Sequence, residues 1–126
     1  MNRWLAAVAA FSLGLAVLLG AVGAHAIGGE PAARDLWRTA SFWHTANSLG
    51  LLGVAALWPV LAARLGVAGA LGIAIGSLAF CGTVYLQALQ GSAPVPMLAP
   101  FGGVLLILGW LVVALACLRG RRDGGP

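Results

Sequence analysis

Charge is scarce in this chain. Ten of its 126 residues are Asp, Glu or Arg, about 8%, where a soluble domain carries roughly a quarter. So few charges cannot clothe a water-facing surface, which excludes an ordinary soluble globular protein. Lysine is absent: all seven basic residues are arginine, and the acids are only Glu30, Asp35 and Asp123. The adjacent Arg34 and Asp35 do not make an acid/base dyad, and Glu30 beside Pro31 reads as a solvated loop residue. Cysteine is almost missing, and the spacing of Cys81 and Cys117 matches no ligand or redox motif. Both read as small buried hydrophobes. No nucleophile motif surrounds Ser12, Ser41, Ser48, Ser77 or Ser92, so hydrolytic catalysis has no sequence signal.

What is present is apolar. Hydrophobic residues make up 61% of the chain and the mean hydropathy is +0.99, so the bilayer is the expected solvent. The length suits one membrane domain, 1–126. Uncharged runs long enough to cross ~30 Å of hydrocarbon place spans near 4–25, 39–61, 66–89 and 97–118. The last two come from one run of 54 residues, Leu65 to Leu118, broken by the turn Gly91-Ser92-Ala93-Pro94-Val95-Pro96. Segments without alternating polarity cannot build a barrel. The fold expected is therefore an all-α membrane protein, four transmembrane helices in an antiparallel bundle. The connection 26–38 forms an outward loop with room for a short surface helix, and 119–126 a basic tail.

Four crossings put Arg3, Arg64, Arg119, Arg121 and Arg122 on one side, against Arg34 and Arg38 on the other. That bias predicts cytoplasmic termini and an outward-facing loop with both nearby histidines. The net charge of +4 sits at the ends of apolar runs, where arginines snorkel to headgroups, and gives no reason to invoke nucleic acid. The rival reading of the first span is a cleaved signal peptide ending at Ala24-His25-Ala26, but its apolar run exceeds the usual ~7 to 15 residues.

Helical periodicity sharpens the expectation. Arg34, Trp37, Arg38, Ser41, His44, Thr45 and Ser48 fall on one face of the second helix. This polar stripe, with Arg38, Ser41, His44, Thr45 and Ser48 at its centre, should occupy the outer half of the membrane and turn toward other helices. In the third helix Gly69, Gly72, Gly76, Ala79, Thr83, Gln87 and Gln90 align, the glycines for close packing and the amides for second-helix hydroxyls. Gly20 and Gly23, within Ala16-x-x-x-Gly20-x-x-x-Ala24, offer a similar surface on the first helix, and Gly102 and Gly103 one on the fourth. Trp37, Trp43, Trp58 and Tyr85 fall near span boundaries and read as interfacial anchors.

His25 and His44 end and begin consecutive spans, so a hairpin would set them at similar depth near the outer surface. They are the candidate cofactor-binding residues, for haem iron or a transition metal, or a pair for proton transfer. No third ligand stands at diagnostic spacing. The structural reading, loop anchoring by His25 and interhelical bonding by His44, is favoured, and no cofactor is expected.

Several segments carry a family resemblance. Gly20-Ala21-Val22-Gly23-Ala24-His25 is similar to a Gly-Ala-Phe-Gly-Ala-His motif, and Trp43-His44-Thr45 to an aromatic-His-Thr unit. Phe80-Cys81-Gly82-Thr83-Val84-Tyr85 is similar to Phe-Ser-Gly-Ser-Leu-Tyr, followed by Pro100-Phe101-Gly102-Gly103 and Gly109-Trp110. Over nearly the whole chain this pattern resembles the YgdD/YwdK family of small bacterial inner-membrane proteins, which has eukaryotic relatives. Val22, Cys81 and Asn47-Ser48 depart from it. The resemblance implies four membrane helices, a first span that is retained, and an inner-membrane location, and it carries no activity to transfer. The function expected is non-enzymatic: a membrane protein acting through helix packing, as a homo-oligomer or an accessory of a larger complex. A histidine-dependent redox, metal or ligand-binding protein is the alternative, and an oligomeric transporter the third.

Overall fold

The computed structural model describes residues 1–120. Four helices follow in order: α1 (Arg3–His25), α2 (Pro31–Leu57), α3 (Ala63–Gln90) and α4 (Leu98–Arg119). Arg121 and Arg122 of the expected basic tail lie outside the described residues.

Each helix starts and stops for local reasons. The Asn2 side chain accepts from the Leu5 N–H at 3.1 Å and so caps α1. The Asn2 N–H in turn donates to the Ala55 carbonyl at 2.9 Å, tying the start of α1 to the end of α2. Gly29 turns the α1–α2 connection with a φ of 89°, and Pro31 then opens α2, its fixed φ already helical. Gly91, at φ 77°, ends α3 with its N–H on the Gln87 carbonyl. The Ala62 N–H reaches the Ala116 carbonyl at 3.1 Å, fastening the α2–α3 connection to the end of α4.

The second helix differs from the sequence expectation. It is unbroken from Pro31, so Arg34, Asp35 and Arg38 lie on its first turns and no separate surface helix precedes it. Charge ends a hydrophobic run, but it does not end a helix. Conversely, α1, α3 and α4 are long and apolar enough to cross a membrane, whereas α2, though 27 residues long, is not among them.

Packing is tightest between α3 and α4, where glycines let backbones meet. A Cβ on Gly102 would stand 2.5 Å from the Phe80 nitrogen, and one on Gly109 2.8 Å from the Ile73 nitrogen. Gly69, Gly72 and Gly76 face the same seam from α3, while Gly103 only touches the Phe80 ring edge, 3.8 Å away. Two apolar clusters result. One gathers Leu51, Val54, Leu61, Ile73, Leu106 and Val113 toward the chain termini; the other gathers Trp37, Ala40, Cys81, Val84, Tyr85 and Ala88 near the start of α2. Large apolar side chains such as Phe11, Leu78 and Leu111 remain exposed, as lipid-facing residues should.

Candidate functional site

Between the two apolar clusters lies a layer of hydrogen-bonded polar side chains. Ser12 of α1 bonds His44 Nε2 at 3.1 Å and Ser48 Oγ at 2.8 Å. His44 Nδ1 meets the Tyr85 hydroxyl of α3 at 3.4 Å, and that hydroxyl donates to Ser41 Oγ at 3.3 Å. Each imidazole nitrogen thus faces one hydroxyl, and the chain runs unbroken from Ser48 through Ser12, His44 and Tyr85 to Ser41. His44 also meets the Tyr85 ring edge-on, and Tyr85 meets Trp37 the same way at 4.7 Å.

Two further bonds flank this chain. Asn47 donates to the Trp43 carbonyl at 2.8 Å and accepts from Trp110 Nε1 at 3.1 Å, which joins α2 to α4. Trp37 Nε1 donates to the Leu19 carbonyl at 2.8 Å. Its indole occupies the space where a Cβ on Gly23 would fall. Among the described residues no buried side-chain nitrogen or oxygen lacks a partner.

Beside the chain, the end of α1 and the first turns of α2 enclose a cleft of about 640 Å3. His25, Gly20, Gly23 and Ala24 line one wall; Arg34, Trp37, Arg38 and Ser41 line the other, with Ile27 and Gly28 at the connection. Arg34 also donates to the Gly29 carbonyl at 2.9 Å. An apolar recess of about 550 Å3 lies elsewhere, between Trp43, Phe80, Ile107 and Trp110.

The sequence-derived residues are distributed unevenly across these features. Ser41, His44 and Ser48 enter the hydrogen-bonded chain, Arg38 faces the cleft, and Thr45 belongs to neither. Gly23 packs as expected of a small residue, but a Cβ on Gly20 would meet nothing within 4 Å, so Gly20 borders open space.

The two histidines are not at one depth. His44 is level with Ser12, and His25 follows Ser12 by 13 residues, about 20 Å of helix at 1.5 Å per residue. They cannot share an iron or another metal, whose nitrogen ligands stand about 2 Å away. Because α2 begins at Pro31, His44 lies thirteen residues into the helix, level with Ser12 in the middle of α1.

Sequence reasoning missed Ser12, Asn47 and Trp110 as participants, and it did not supply the hydrogen-bond partners of Trp37 and Tyr85, which are 5% and 8% exposed. A signal for Ser12 existed. It is the one hydroxyl in the charge-free run from Trp4 to Ala24, and a lone hydroxyl in an apolar helix seeks a partner. Gln87 and Gln90, expected to meet second-helix hydroxyls, do not; Tyr85 takes that place.

The comparisons with known proteins agree with this architecture. Residues 19–103 match the family model described as "Protein of unknown function (DUF423)". The chain is 33% identical over 107 residues to a UPF0382 membrane protein of Staphylococcus epidermidis, covering 83% of this chain and 87% of that protein. It is 33% identical over 109 residues to the UPF0382 membrane protein YwdK of Bacillus subtilis, covering 83% and 88%. To the UPF0382 inner membrane protein YgdD of Escherichia coli it is 27% identical over 125 residues, covering 98% and 95%. No solved structure matches significantly. A chain whose described residues hold three membrane-capable helices and whose relatives are of this kind is a multi-pass protein of the bacterial inner membrane, and it belongs to the DUF423 family.

Proposed function

We propose that all four helices cross the membrane with both termini cytoplasmic, and that the protein acts without catalysis, as an accessory or assembly subunit held to a partner by helix packing. One observation carries this reading: the buried polar groups of the described residues are spent on one another. Burying polar groups in hydrocarbon is costly unless they are paired. Here α1 and α3 supply the pairing for α2, which makes a crossing by this less apolar helix affordable.

Gly69, Gly72, Gly76, Gly102 and Gly109 are engaged in the α3–α4 seam inside the protomer. An outward small-residue face is presented by α1 at Ala10 and Gly14, both exposed, with nothing within 4 Å of a Cβ placed on Gly14. Close approach of another helix suits such a face.

Topology and packing are separately testable. In a Cys81→Ser/Cys117→Ser background, Glu30→Cys should react with an impermeant maleimide from the outer side of spheroplasts, and Arg64→Cys only after lysis. Reaction of both from the same side defeats the four-crossing topology. Gly14→Cys should give oxidative cross-links in intact membranes while Leu78→Cys, on a face of large residues, gives none. Monomer alone at Gly14→Cys, together with a strictly monomeric native mass spectrum from mild detergent, defeats the packing role.

A further inference from the structure

We propose that the cleft between the end of α1 and the first turns of α2 is a binding site for a phosphate-bearing anion. Arg34 and Arg38 stand one turn apart as like charges on one helix face and both line this single cavity; one nitrogen of Arg34 also donates to the Gly29 carbonyl. His25 adds a third nitrogen-bearing group from the opposite wall. Glu30 and Asp35 are the nearby acids, but neither lines the cleft. The positive end of the α2 dipole lies at the same place, where Pro31 opens the helix. Concentrated positive charge facing an open volume is stabilised by an anion, and the fork of arginine matches phosphate oxygens in pairs.

The walls are built rather than incidental. Trp37 is buried, its indole held by the Leu19 carbonyl and seated against Gly23. The space beside Gly20 is left unfilled. Ser41, on the inner side of the cleft, is fixed by Tyr85 and through it by His44. At about 640 Å3 the volume exceeds a bare phosphate and admits the glycerol portion of a lipid headgroup. The inference rests on α2 crossing the membrane, which sets the cleft at headgroup depth, and is independent of the packing role.

The shared chemistry is a phosphate oxygen on paired guanidiniums; its source is either a lipid phosphodiester or free inorganic phosphate. Purified full-length protein should be exchanged into detergent with phosphatidylglycerol, phosphatidylcholine or inorganic phosphate, then examined by native mass spectrometry and thermal unfolding. Phosphatidylglycerol should be retained in preference to phosphatidylcholine and raise the unfolding temperature. Retention should fall about tenfold or more in Arg34→Gln/Arg38→Gln, given the strength of charge-assisted bonds. It should fall comparably in Gly20→Leu, which fills the cleft without altering its charge. Arg3→Gln/Arg119→Gln, at the other end of the bundle, should retain the lipid and so exclude a general charge effect. Stabilisation by inorganic phosphate, lost in the same cleft variants, supports the site and names free phosphate as its source. Retention unchanged in both cleft variants, or no effect of either anion on the parent protein, overturns the proposal. Cysteine accessibility at Glu30 and Arg64 shows separately whether a failure lies in the topology.

Discussion

Ser12 illustrates how much one side chain can hold in an apolar setting. Its hydroxyl serves both His44 and Ser48, so Ser12→Ala leaves an imidazole nitrogen and a hydroxyl without that partner. The expected loss is about 1–2 kcal/mol, read by reversible unfolding in mixed micelles, with Ser12→Thr recovering most of it. A loss no larger than that of Gly14→Ala would remove Ser12 from the network. Gly20 and Gly23 make a second comparison. Gly23→Ala pushes a methyl into the Trp37 indole and should cost about 1–3 kcal/mol, whereas Gly20→Ala meets open space and should leave stability unchanged or raise it by up to about 1 kcal/mol. Equal effects in the same unfolding assay would contradict this packing. In sequence the two glycines read alike, each a small residue on an apolar helix. What separates them is where Trp37 enters α1, a tertiary fact that periodicity does not contain.

At the scale of the helix, existence was legible and depth was not. Uninterrupted apolar length identified α1, α3 and α4, and the Pro-containing turn separated the last two correctly. The second helix begins at Pro31, ahead of its uncharged run, so Arg34 and Arg38 are helical, as the polar stripe requires, and His44 lies thirteen residues in, away from His25. The partners of Tyr85 and Trp37 are hidden from the sequence for a related reason. An aromatic ring with a polar tip suits an interface, but it equally suits a buried site where the tip has a partner, and only the fold supplies the Leu19 carbonyl and Ser41 hydroxyl. The α3–α4 seam gives the element-scale prediction. Gly102→Val forces side-chain atoms into the Phe80 backbone and should abolish the folded bundle, or lower its stability by more than about 3 kcal/mol. Gly103→Ala beside it, with only ordinary contact to the Phe80 ring, should fold as the parent does. Expression and thermal unfolding of the two variants decide the matter, and comparable tolerance at both positions would contradict the close approach.

Across the whole molecule, composition alone announced a bilayer protein, since a chain with 8% charged residues has nothing else to dissolve in. What it could not announce was how unequally the helices share that task. Three carry their own apolar warrant for entering hydrocarbon, while α2 brings a histidine, an asparagine and serines whose partners belong to other helices. The partner on α1 is made before α2, and those on α3 and α4 after it. In the proposed four-crossing topology the second helix enters lipid as a dependent of its neighbours. Its residence should be least secure while α3 is still being synthesised, when Ser12 is the sole tie to His44. In truncated nascent chains ending before Ala63, Ser12→Ala should lower the inserted fraction of α2, measured by protease protection, with less effect on full-length chains; equal effects at both lengths would count against this dependence. In that topology the polar layer sets an order of events: synthesis must run past Tyr85 before the second helix has all its partners for the membrane.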